Sequence, residues 1–415
     1  EKSINLWIVI SLFVSGNKYY QRRNMEKIAL LNARIIDGKN SIPISSCSVL
    51  LNNSFIEDII VNKKISIGEN YKKIDVKNNT LLPLFIDGHM HISGEPGRLD
   101  HFGHIKANLG AVGKLQECLL WGTGVVAHAA GSIENVILRD LINSGSILGC
   151  SEMLVGGAIT PTCGHVRGKS ADGPWEIRKA VREMIGANVD FIKTTASGGF
   201  QWEHEKLTHP DYTYEELKVL VEETHSREKK VHVHAHADPG ISNAISAGCD
   251  VILHGVLIND ICLEKIIEKG LWYMPTLYIT SKKVFENPNL PIYMRERMKE
   301  VNPFHREAVG KALKMGVKII TGTDGGPGSI MYEIYELVKC GFSPMEAIIT
   351  ATSKTAEAFG ILNRTGTIEK GKNADLMVIE GDPLTDISIL CKKESILMIT
   401  KKGKIIFNIL EQLKK

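Results

Sequence analysis

From Lys27 to about Leu84 the apolar and polar positions fall into short β-like segments: Ile28 to Ile36, a turn at Asp37-Gly38, then Cys47 to Asn52 and Ile56 to Val61. Helical periodicity is missing there. After about residue 362 the β pattern returns at Gly366-Thr-Ile-Glu-Lys-Gly-Lys, Ala374-Asp-Leu-Met-Val-Ile, Ile396-Leu-Met-Ile and Lys402-Gly-Lys-Ile-Ile-Phe. Between these ends, short apolar strands alternate with helical segments: Asp190-Phe-Ile-Lys, a helix over 213–228, Val231 to Ala235, a helix over 240–247, then Val251 to His254. Repeated β-then-α order predicts an α/β fold, a parallel (β/α)8 TIM-type barrel over 85–361. The flanking segments 25–84 and 362–415 are predicted to pair into one small β-sandwich domain. No internal repeat or low-complexity tract interrupts this order.

Residues 1–24 stand apart, because Ile8 to Val14 form an apolar run too short to span a bilayer and no signal-peptide pattern accompanies it. They are read as an extension of cloning or gene-prediction origin ahead of Met25. Of the 415 residues, 43% are apolar and 23% charged, an ordinary globular composition. The 50 basic and 47 acidic residues are mixed along the chain, so neither a nucleic acid nor a membrane is implied as a partner. Eight cysteines, at 47, 118, 150, 163, 249, 262, 340 and 391, show no CxxC pair and no disulfide framework, which points to reduced thiols and a cytoplasmic location.

The chemistry lies where the predicted strands end. Ile86-Asp-Gly-His89-Met90-His91 closes an apolar strand, and alternate residues share a face, so His89 and His91 project together and can grip one cation. Phe191-Ile-Lys193 ends another strand with a lysine that burial would drive toward the neutral amine. Such an amine can take up carbon dioxide as a carbamate, an anion able to bridge two metals. His232, His234 and His236 occupy one face of the next strand, His254 ends the following one, and Ile319-Ile-Thr-Gly-Thr-Asp324 ends a further strand with a carboxylate suited to a ligand or a general base. Barrel active sites form at strand ends, so these residues should converge. Their imidazole and carboxylate atoms suit zinc, and manganese, iron or cobalt would fit the same atoms.

From about Met25 to the C-terminus the chain resembles the amidohydrolase superfamily, in its imidazolonepropionase-like and prolidase-like (Xaa-Pro or Xaa-Arg/Lys dipeptidase-like) branch. The motifs are Pro83-Leu-Phe-Ile-Asp-Gly-His-Met-His, Asp190-Phe-Ile-Lys-Thr-Thr-Ala-Ser-Gly-Gly, His234-Ala-His with His254-Gly, Gly322-Thr-Asp and Gly371-Lys-Asn-Ala-Asp-Leu. The resemblance implies two zinc ions per chain. His89, His91 and Asp324 would hold the more buried one, His234 and His254 the second, and Lys193 would bridge both as a carbamate. It prefers His234 to His232 and His236 on strand–helix–strand spacing, and leaves His236 to face the substrate. Gly156-Gly-Ala-Ile-Thr-Pro-Thr-Cys-Gly-His165 resembles the family's glycine-rich histidine motif, making His165 the group that polarises a substrate carbonyl. Where relatives carry Thr-Val-Arg-Asp this chain has Val125-Val126-Ala127-His128, so the second-strand substrate contact, with His128 in it, departs from the family. Arg167, Tyr278 and Ser329, in loops after strand ends, are candidates for binding a substrate carboxylate. A homo-oligomer is also implied.

The expected reaction is hydrolysis of an amide C–N bond in a dipeptide or N-acyl amino acid. A hydroxide generated on the metals attacks the carbonyl, and Asp324 passes the proton to the leaving nitrogen. The alternative is a single-metal deaminase or cyclic amide or imidate hydrolase, in which Lys193 bridges nothing. A metal-free scaffold is the third reading, and the complete ligand set argues against it.

Overall fold

The computed structural model of the chain describes residues 26–61, 67–93 and 100–410. The expected extension at 1–24 lies outside the described residues. In chain order the strands are β1 (Lys27–Ile35), β2 (Ile44–Asn52), β3 (Phe55–Val61), β4 (Tyr71–Asp75), β5 (Thr80–Pro83), β6 (Phe85–Met90), β7 (Thr123–Gly131), β8 (Glu152–Thr160) and β9 (Lys169–Ser170). They continue as β10 (Phe191–Thr195), β11 (Val231–Ala235), β12 (Val251–His254), β13 (Trp272–Met274), β14 (Lys318–Ile319), β15 (Leu376–Ile379), β16 (Ile396–Lys401) and β17 (Lys404–Asn408).

The two ends of the chain share one sheet, ordered β17-β16-β15-β5-β1-β2-β3, with β4 paired to β1. Its core is built by period-two alternation: Cys47, Val49 and Leu51 of β2 point inward with Leu30, Ile35, Leu376 and Val378. The predicted β segment at 366–372 is not a strand. It loops across the sheet end, Ile56 N–H donating to Lys372 O at 2.9 Å and Gly371 N–H to Ile56 O at 2.8 Å.

The second sheet is parallel and curled, in the order β14-β13-β12-β11-β10-β8-β7-β6, with β9 beside β8. Strands β6, β7, β10, β11 and β12 are buried at every position, as strands covered on both faces must be. Helices cover the outer face, where the largest core cluster sits. On the concave face Ile86, Val125, Leu154 and Phe191 meet Phe359, which also packs on Val251, Leu253 and Met274. That plug fills one end and leaves the strand C-termini to the site. The helix expected over 213–228 spans Tyr214–His225: Thr213 caps its start in a capping box with Glu216, and the chain has left helical geometry by Glu228, whose φ is +57°. Among the described residues no helix is long and apolar enough to cross a membrane.

One predicted strand is shortened for a reason that matters to the site. Only Lys318–Ile319 of the apolar run ending at Asp324 is regular. Beyond it the chain bonds to β6 in broken register: Gly88 N–H donates to Thr321 O (3.1 Å), while Thr323 and Asp324 N–H both reach His89 O (3.2 and 2.7 Å). Gly322 permits this approach, since a Cβ there would lie 2.7 Å from that of His89.

Candidate active site

His89 and His91 face the site because β6 contains a bulge. Ile86 pairs with Val125 and Met90 with His128, so β6 spends one more residue than β7 between those pairs. Side-chain parity therefore changes along the strand: Ile86 lies in the concave cluster, whereas Met90 packs into the outer core. His89 and His91 then turn to Asp324, whose Oδ1 is 3.3 Å from Nε2 of His89 and 2.9 Å from Nε2 of His91. Asp87 fixes the bulge, accepting from the His89 and Thr323 N–H groups (3.1 and 3.0 Å) and from Thr323 Oγ1 (2.7 Å). Its burial raises that carboxyl to about 7 against these bonds.

Lys193 is fully buried, and burial pushes its amine down to about 7. It lies near enough to His89, His232, His234, His236 and His254 for its charge to act on each of them. On β11, in register with β10, the three histidines separate. His232 lies deeper, its ring against Phe191 at 4.3 Å and Phe359 at 5.1 Å. His234 reaches the strand end, 4.5 Å from the His254 ring and 4.5 Å from that of His236.

His254 gets there by an exception to strand alternation. Its neighbour Leu253 already faces the concave cluster, so regular β geometry would send His254 to the other side. Instead its φ is +68°, and its ring lies 5.1 Å from that of His89. The bend is held from outside: Tyr273 Oη donates to the His254 carbonyl at 2.9 Å, His305 Nε2 meets the same oxygen at 3.1 Å, and Thr276 Oγ1 holds His254 Nδ1 at 2.7 Å. Asp324 is likewise left-handed, with φ +54°. Such strain in non-glycine residues gathers where side chains must be aimed.

These donors fit divalent cations. One ligand atom each from His89, His254 and Asp324 lies within 4.8 Å of the others. Burial pushes His89 down to about 4 and His234, His236 and His254 well below the usual imidazole range, which keeps their lone pairs free for a metal. Burial opposes ionisation of Asp324, yet His91 and His89 outweigh it and hold the carboxyl well below its ordinary value. Three buried imidazole nitrogens, Nδ1 of His89, Nε2 of His232 and Nδ1 of His236, have no hydrogen-bond partner among the described residues.

His165 joins this group. Its ring stacks on His234 at 4.2 Å and its Nδ1 lies 3.0 Å from Glu205. Gly199 makes the space, since a Cβ there would sit 2.2 Å from His165 Cε1. His128 is placed differently: fully buried, it lies 3.2 Å from Met90 O through Nδ1 and 2.8 Å from Ser93 Oγ through Nε2, bracing β6. Ser329 is buried as the first residue of the helix Ser329–Lys339, its hydroxyl accepting from Gly326 N–H at 3.0 Å. Tyr278 is half-buried in the turn after β13, its N–H held by Glu333 at 2.7 Å. Arg167 is exposed over the Trp202 ring at 5.0 Å, beside a cavity of about 380 Å3. Sequence reasoning missed Glu205, Tyr273, Thr276 and His305, which carry no strand-end signal. The Gly198-Gly199 pair hinted only at a close approach.

A family model described as "Amidohydrolase family" matches residues 80–406. The ochratoxinase of Aspergillus niger is 26% identical over 420 aligned residues, covering 91% of this chain and 86% of that protein. An adenine deaminase of Petrotoga mobilis is 21% identical, covering 85% of this chain and 56% of its own. Among solved structures, a Xaa-Pro dipeptidase with methionine bound in its active site superposes with a TM-score of 0.82 at 28% identity, over 92% of this chain and 100% of that one.

Proposed function

The chain belongs to the amidohydrolase family, and on that premise we propose that it hydrolyses an amide C–N bond in a dipeptide or N-acyl amino acid. The observation that carries this reading is the gathering of His89, His91, His234, His254 and Asp324, with the buried Lys193 among the same parallel strands, at the strands' C-terminal ends. In the same reading the curled sheet closes as a (β/α)8 barrel, with 25–84 and 362–415 forming the second domain.

His89, His91 and Asp324 would hold one cation, and His234 and His254 a second, with Lys193 as a carbamate between them. Zinc suits these atoms. When bound, the cations supply Lewis acidity toward the carbonyl and lower the pKa of a water. Asp324 is the proton carrier, taking a proton from the attacking water and giving it to the departing nitrogen. His165, held through Nδ1 by Glu205, presents Nε2 to the carbonyl oxygen and polarises it as negative charge develops there. The plug around Phe359 closes the opposite end of the strands to water. A free carboxylate on the substrate is matched to Arg167 and Tyr278 at the rim.

A single-metal reading is favoured by one observation: among the described residues, only His89, His254 and Asp324 bring three ligand atoms this close. The test is metal analysis of the purified chain combined with a screen of dipeptides, N-acyl amino acids and aminopurines. Near two metals per chain with amide cleavage is the expected result. One metal with full activity, or release of ammonia from an aminopurine alone, overturns the proposal.

A further inference from the structure

The helices His101–Leu120 and Ile133–Asn143 follow β6 and β7 and lie side by side against the outside of the curled sheet. Their inner faces are accounted for, with Ala111, Leu115 and Cys118 of the first and Val136, Leu138 and Ile142 of the second in the main core. Their outer faces are apolar too. Ile105 and Leu109 are 46% and 68% exposed, and Ile133, Ile137 and Leu141 are 47%, 65% and 38% exposed. Spacings of four residues stack each set along one side of its helix. Ile105, Leu109, Ile137 and Leu141, with Val112 and Ile147, line a single groove of about 220 Å3 between the helices.

At roughly 200 Å2 for a fully exposed large apolar side chain, these five exposures amount to about 500 Å2. That is well over half of the ~800 Å2 that each partner contributes to a stable interface. A second feature of the same helix points to a neighbour that comes close. Gly110 and Gly113 are exposed in mid-helix, where glycine weakens a helix relative to alanine. A Cβ at either would meet nothing within 4 Å among the described residues, so no packing among them calls for glycine there. A second helix backbone crossing at that point would.

Groove and ridges belong to one apolar patch, and a two-fold axis through it would set each helix pair against its counterpart, the arrangement of a self-complementary contact.

We propose that this face is the two-fold contact between two copies of the chain, with Gly110 and Gly113 admitting the partner's backbone and Ile105, Leu109, Ile137 and Leu141 buried against their counterparts. Sedimentation of the full-length, metal-loaded protein at micromolar concentration tests it. The wild type is expected to sediment as a dimer or a larger even-numbered assembly. Leu109→Glu with Ile137→Glu changes only exposed positions, and should halve the mass while leaving the far-ultraviolet spectrum unaltered. Gly110→Ala with Gly113→Ala, which favours the helix in an isolated chain, should instead weaken association by about tenfold or more through the added β-carbons. A monomeric wild type, or an assembly whose mass and affinity survive both double variants, overturns the proposal.

Discussion

Tyr273→Phe removes one buried hydroxyl and little else. That hydroxyl donates to the His254 carbonyl at 2.9 Å and lies 3.3 Å from the Gly255 carbonyl, while His305 Nε2 reaches the His254 oxygen from the other side at 3.1 Å. Burial pushes His305 down to about 4, so it is neutral: Nε2 carries the proton and Nδ1 accepts from Thr280 Oγ1 at 2.9 Å. The two donors hold a residue whose left-handed backbone costs about 1–2 kcal/mol. With one donor removed the carbonyl keeps a partner, and the loss should be about 1 kcal/mol. With Tyr273→Phe and His305→Leu together the carbonyl is buried and orphaned, so the double loss should exceed the sum of the singles by about 1 kcal/mol. The freed backbone would also let the His254 ring turn away, lowering zinc affinity by about tenfold, as expected when the groups behind a ligand are lost. Urea denaturation of the metal-free chains gives the coupling energy, and competition against a chromophoric chelator gives the zinc affinity. Strictly additive losses with wild-type zinc affinity would refute the idea that these bonds aim the ligand.

Two other substitutions probe the reacting groups. Lys193→Ala should lose metal and nearly all turnover, with formate or acetate restoring part of both, whereas Lys193→Arg, whose guanidinium stays protonated, should not respond; wild-type metal content and rate in the arginine variant would remove the bridging role. Gly199→Ala puts a carbon 2.2 Å from His165 Cε1 and should displace that ring, lowering kcat by about 100-fold with metal content unchanged; an unaltered kcat would separate His165 from the reaction.

The candidate ligands were legible in the sequence because each stands at the end of an apolar run, and a polar residue there can be read without knowing its neighbours. What aims them was not. Period-two alternation puts His89 and His91 together, yet alone it would carry Ile86 and His89 to opposite faces and leave both histidines outside; the bulge held by Asp87 reverses that outcome. Alternation also sends His254 away from the site, and only a left-handed backbone brings it back. The predicted strand to Asp324 stops at Ile319 because Thr323 and Asp324 both bond to one carbonyl of β6. In each case the regular ladder gives way within a few residues of a ligand, and the groups that hold the irregular form come from remote positions: Thr323 for Asp87, Tyr273 and His305 for His254. No local pattern encodes such partners. Their bonds have meaning only after the strands are assembled, which is why a donor set is easier to read from one sequence than the geometry that lets it act.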